Sequence, residues 1–215
     1  MSTVQLTHNK IQLALHQLRD GQGRALLLLH GLGEQTPPVA PDWTDSWHGP
    51  VCGLDFTGHG ASTVPNGGGY SAETLLADAD IALAHLGSAT VVGRGLGAYV
   101  ALMIAGARPQ LVRGAVLCDG PSLWGGASGP TSSSFYGVDP PYSAPDPNAL
   151  IDLSRDLRPP DYAALFVRMA LEHSGLAEPI AVAAIVRPPW LKAVVDEVGV
   201  LTCTLAEALA LYATA

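Results

Sequence analysis

Charged side chains make up only 14% of this 215-residue chain, and the basic ones are scarcer: 11 Lys and Arg against 19 Asp and Glu, for a net charge of −8. Lysine occurs only at Lys10 and Lys192. Such a surface repels phosphate backbones and offers no basic run to an anionic bilayer, so neither nucleic acid nor a membrane is expected as a partner. No apolar run approaches the ~18 residues that a membrane span needs. Residues 1–10 are polar and mixed, without the basic-then-apolar layout of a signal peptide, and a cytoplasmic location is the expectation. Cysteine is limited to Cys52, Cys118 and Cys203, an odd number with no C-x-x-C spacing. That pattern suits small buried hydrophobes in a reducing compartment, and no metal or cofactor is expected. Histidine is absent beyond His173. What is plentiful is apolar: 48% hydrophobic residues, enough to build the core of one domain over 1–215. The Ala and Gly load, with Arg preferred to Lys, reads as a bacterial coding bias.

Along the chain, apolar residues first alternate and then run together. Residues 4–6 and 11–18 read as antiparallel strands turning at Asn9-Lys10, because Ile11, Leu13 and Leu15 alternate with Gln12, Ala14 and His16. Ala25–Leu29 is continuously apolar, as befits a central parallel strand covered on both faces. Residues 43–47 are expected to form a short helix capped by Asp42, and 51–55 the next strand. Ser71 is placed to cap a helix whose face is Leu75, Leu76, Ala79, Leu83 and Leu86 and which stops at Gly87. A strand over 90–93, a helix over 96–107 and a strand over 113–118 follow, ending at Asp119-Gly120-Pro121. This alternation predicts an α/β fold with a mostly parallel central sheet flanked by helices. Residues 125–148 are rich in Gly, Pro and Ser, and a lid or cap insertion is expected over 121–175. Residues 161–172 read as a helix. Residues 180–186 stay open between strand and helix, with Pro188-Pro189-Trp190 interrupting. A last short strand over 199–202 and a closing helix over 205–212 complete the reading.

The organising stretch is Gly93-Arg94-Gly95-Leu96-Gly97, a glycine-crowded turn between strand and helix. Two other motifs precede it: His30-Gly31-Leu32-Gly33 after the first buried strand, and Asp55-Phe56-Thr57-Gly58-His59-Gly60-Ala61-Ser62 after the next. In that order the three resemble the oxyanion loop, the D-x-x-G-H-G-x-S turn and the G-x-S-x-G nucleophile elbow of the α/β-hydrolase fold family. The resemblance covers residues 1–120 and fades after Asp119.

The resemblance implies a nucleophile, a base and an orienting acid. It places the nucleophile at Gly95, which has no side chain to attack with. The family's base is a histidine near the C-terminus, and this chain has none there; His173 is the last histidine and the weak candidate. Asp119 is the weak candidate for the acid. His30 and His59 belong to turns that the family uses structurally. The oxyanion and ligand-binding positions fall at Gly31, Leu32, Arg94, Gly95 and Leu96, with the amides of Leu32 and Leu96 as the donors. Trp43, Trp47, Trp124 and Trp190 are either pocket lining or core. The reading is a member that has lost serine-hydrolase chemistry and binds a small apolar carbonyl- or carboxylate-bearing ligand at the former active site, enlarged at Gly95. Two alternatives stay open: an enzyme using water activated by Asp119 or His173, and an interaction protein with a vestigial pocket. A homodimer is expected if the strand ending at Cys118 is left as an uncovered edge.

Overall fold

The computed structural model describes residues 2–123, 144–154 and 158–214. Eight strands form one sheet: β1 (Ser2–His8), β2 (Ile11–Arg19), β3 (Ala25–Leu29), β4 (Val51–Leu54), β5 (Ala89–Arg94), β6 (Val112–Cys118), β7 (Ile180–Val182) and β8 (Val200–Thr202). Their order across the sheet is β1-β2-β4-β3-β5-β6-β7-β8. The β1–β2 hairpin turns at Asn9, whose φ of 56° suits the left-handed tolerance of Asn. It joins β4 in antiparallel fashion, and every later pairing is parallel.

The helices are α1 (Ala72–Leu86), α2 (Leu96–Ala107), α3 (Pro147–Ser154), α4 (Pro160–His173), α5 (Pro189–Val195) and α6 (Leu205–Ala213). Strand alternation sorts the core into two layers. Leu27, Leu29, Val91 and Leu117 face one side, packed with buried residues of α1, α2, α4 and α5. Leu26, Leu28, Val92 and Val116 face the other, where α6 and Trp47 cover them. Every residue of α2 from Leu96 to Gly106 is buried. That explains its all-round apolar sequence, since this helix is wedged between the sheet and its neighbours α1 and α4.

Several expectations are met in detail. Ser71 accepts the Thr74 N–H as the cap of α1, and Gly87 ends that helix at φ 78°. Others need correction. Pro41, not Asp42, precedes the 3₁₀ turn Asp42–Thr44, and that single turn replaces the helix expected over 43–47. Pro188-Pro189-Trp190 starts α5 rather than merely interrupting, because proline suits the first turn of a helix, where no N–H partner is required. Both short C-terminal segments join the sheet, as β7 and β8, so β6 is not an uncovered edge and the homodimer loses the premise it was argued from. Within the 121–175 stretch expected as a lid, residues 124–143 and 155–157 lie outside the described residues. Its α4 packs against α2 and α5, burying Ala163, Phe166, Val167 and Ala170. No helix among the described residues is long and apolar enough to cross a membrane.

Candidate functional site

The turn between β5 and α2 requires its three glycines. A Cβ at Gly93 would stand 2.6 Å from Ala98 N, and one at Gly97 would stand 2.6 Å from His30 O. Gly95 has φ 58° and ψ −121°, a backbone state that side chains other than glycine rarely hold without strain. Its N–H donates to Cys118 O at 3.1 Å, which ties the elbow to the end of β6.

The Leu32 and Leu96 amides converge as the motifs imply, and their target is already in place. Leu96 N–H donates to the Pro121 carbonyl at 2.9 Å, and Leu32 N–H donates to the same oxygen at 3.3 Å. The 120–123 turn, closed by Leu123 N–H donating to Gly120 O at 3.2 Å, therefore lies across the front of the elbow. A Cβ at Gly95 would come within 2.6 Å of Gly120 C and 2.7 Å of Pro121 C, and closer still to Pro121 O. The expected enlargement at Gly95 is absent because backbone from the end of β6 fills the space. The same crowding leaves no room for a side chain at Gly95 in this structure. Sequence reasoning missed Pro121. Its only signal was Gly120-Pro121 directly after a strand, which reads as ordinary punctuation. The next residue, Ser122, is held at φ 61° and buried, with no partner for its hydroxyl among the described residues.

The described residues do not assemble a triad. The Asp119 carboxylate accepts the N–H groups of Ile185 at 2.7 Å and Val186 at 2.9 Å, so both oxygens hold the loop after β7. His173 is at the C-terminal end of α4, half exposed, 3.7 Å from Glu172. The end of β8, where the family's base would be sought, carries a capping box: Thr204 caps α6, and Glu207 accepts the Thr204 N–H. That box is written in the sequence as Thr-x-x-Glu.

The other motif residues hold the loops around the elbow. His30 accepts the Phe56 N–H at Nε2 (3.1 Å) and bonds Gly31 O through Nδ1 (2.7 Å). His59 accepts the Gly33 N–H at Nε2 (3.3 Å) and bonds Thr57 O through Nδ1 (3.2 Å). Each ring thus serves as a neutral imidazole between one donor and one acceptor. Burial, with His59 adjacent, pushes His30 down to about 3, and burial also lowers His59. Burial disfavours the Asp55 carboxylate, but the amides of Ala61 and Thr36 together with His16 outweigh it and hold the group below the usual range. Asp78 receives the Thr57 amide and hydroxyl, yet burial raises it to about 7. Tyr70 donates to the buried Asp146 carboxylate at 2.6 Å, and Asp146 N–H donates to Gly58 O, so the start of α3 is latched to this loop system.

Arg94 is half exposed, and its Nε pairs with Glu34 at 2.9 Å. The same Glu34 oxygen accepts the Gly31 N–H at 3.0 Å. Trp47 and Trp190 are core, donating to Arg24 O and Leu123 O; Trp43 is 40% exposed, and Trp124 lies outside the described residues. Among the described residues no group of three or more His, Cys, Asp or Glu could hold a metal ion.

A family model described as alpha/beta hydrolase fold matches residues 24–158. The chain is 30% identical over 127 residues to the (E)-2-((N-methylformamido)methylene)succinate hydrolase of Acinetobacter baylyi, taking in 55% of this chain and 44% of that enzyme. A hypothetical protein of Pseudomonas aeruginosa PAO1 matches over 100% of this chain and 97% of its own, at TM-score 0.67 and 16% identity, which is likeness of fold alone. An epoxide hydrolase of Bacillus megaterium, solved with an inhibitor, is 24% identical at TM-score 0.46, over 56% of this chain and 43% of its own. The chain spans less than half the length of either hydrolase. The family match takes in more than half of the chain, which belongs to the α/β-hydrolase fold family.

Proposed function

We propose that this member of the α/β-hydrolase fold family has no serine-hydrolase activity and works by binding a small apolar ligand that bears a carbonyl or carboxylate group. One observation carries the reading: the two amides that would stabilise a developing oxyanion are both given to the chain's own Pro121 carbonyl. An oxyanion hole contributes only when its donors meet the charge of the transition state. Here they meet a ground-state peptide, at a residue with neither a nucleophile nor room for one. The same observation moves the ligand away from the hole itself. Water activated by Asp119 or His173 is less well supported, because Asp119 is committed to two backbone amides and His173 stands at an exposed helix end.

The test is turnover of p-nitrophenyl acetate by the purified protein, beside a Leu96→Pro variant that removes one donor at the first position of α2, where proline is tolerated. The expected rate is that of buffer in both. Turnover above buffer that falls in the folded variant would overturn the reading.

A further inference from the structure

The face of the sheet that carries Leu28 and Val92 is covered by α6 and Trp47, and the whole 30–50 connection in front of it supplies only the Asp42–Thr44 turn. The gap left between that connection and α6 is a cleft of about 470 Å³. Its volume lies within the ~300–1,000 Å³ of small-molecule sites. Leu28 and Val92, register partners on β3 and β5, line it, as do Pro41, Leu205 and the part-exposed Trp43. Arg94, Glu34 and Asp119 bring charge to it. Glu34 is the one ionic partner of Arg94 among the described residues, and neither Nη1 nor Nη2 donates a hydrogen bond to any of them.

We propose that this cleft binds an apolar monocarboxylate, its carboxylate on the Arg94 guanidinium and its apolar body between Trp43 and the Leu28–Val92 pair. The planar guanidinium fork matches a carboxylate, and a half-desolvated setting strengthens the pair. Glu34 and Asp119 oppose any added negative charge, which the Arg94 pair has to outweigh; a second carboxylate would find no further Lys or Arg among the lining residues. Cys118 also lines the cleft, but burial and the adjacent Asp119 hold its thiol up at about 12. This assignment rests on the binding reading above and supplies its site and ligand class.

Isothermal titration calorimetry with octanoate and 2-naphthylacetate, each beside its neutral amide, tests it on the intact chain. At least one acid is expected to bind with one-to-one stoichiometry, about tenfold or more tighter than its amide. Arg94→Gln abolishes that preference, Arg94→Lys keeps only part of it, and Trp43→Ala weakens acid and amide alike. Each variant is first checked for an unchanged melting temperature. The proposal is overturned if neither acid saturates at millimolar concentration, if acid and amide bind equally, or if either folded Arg94 variant binds the acid as the parent does. Ester turnover would sink the non-catalytic reading without touching this result, and failed titrations would sink this one without restoring catalysis.

Discussion

Gly95→Ser restores the residue that the elbow motif calls for, and on this structure it should damage the protein. The new Cβ would lie within 2.7 Å of Pro121 C and 2.6 Å of Gly120 C, both backbone atoms that cannot swing aside as a side chain would. Two responses are available. If the 120–123 turn holds, the chain bears overpacking of about 1–3 kcal/mol, plus about 1–3 kcal/mol for a side chain at φ 58°. If the turn is expelled, the Leu32 and Leu96 amides lose the Pro121 carbonyl, at about 1 kcal/mol each, and the backbone strain remains. The first route comes to about 2–6 kcal/mol and the second to about 3–5 kcal/mol. At about 2–4 °C per kcal/mol for a chain of this length, the melting temperature should fall by about 4–24 °C. Circular dichroism melting reads the sum. Hydrogen exchange at Leu32 and Leu96 separates the routes, since only expulsion of the turn exposes those amides. Gly95→Ala, which adds the Cβ alone, should lose nearly as much. A Gly95→Ser protein that melts within about 2 °C of the parent would refute the claim that Pro121 fills the site.

Two further outcomes follow from the buried polar groups around the elbow. His30, held at about 3, and the lowered His59 stay neutral when folded, while the unfolded chain takes up protons near the ordinary histidine value of 6.5; stability present above that pH is therefore lost as pH falls from about 6.5 towards 3. Asp78, raised from 3.8 to about 7, acts with the opposite sign across that window, so Asp78→Asn should steepen the acid loss in a pH series of denaturant melts; an unchanged slope would count against the assignment. Tyr70→Phe removes the 2.6 Å bond to Asp146 and leaves a buried carboxylate short of a donor, at about 1.5–3 kcal/mol. Exchange of the α3 amides should accelerate more than that of α2, and equal protection in both variants would show that the latch does not hold α3.

The parts of the fold that were legible are those whose sequence carries a period or an obligatory residue type. Ala25–Leu29 announces a strand buried on both faces, and all five residues are buried. Ser71 and Gly87 bracket α1 as cap and stop. His30 and His59, taken as turn residues, spend their ring nitrogens on loop backbone. The strands β7 and β8 were harder because three residues hold no period. Neither decisive feature of the site could be read from residue types. The group that meets the Leu32 and Leu96 amides is a peptide carbonyl, which every residue owns, delivered by a turn far along the chain from the Leu32 loop that receives it. The cleft is a consequence of what the 30–50 connection fails to build on one face of the sheet, and a gap has no letters.

Those two features are better understood together than apart. Gly95 and Pro121 satisfy one another: the glycine leaves the space, and the carbonyl takes up two amides that would otherwise be buried donors without partners, each at about 1–3 kcal/mol. The contact ties the turn after β6 to the elbow, so it contributes to stability. Arg94, one residue before Gly95, pairs with Glu34 and lines the cleft. On the proposed reading, serine-hydrolase chemistry would require unmaking a structural contact as well as adding a serine and a histidine, whereas binding uses the cleft that is already open.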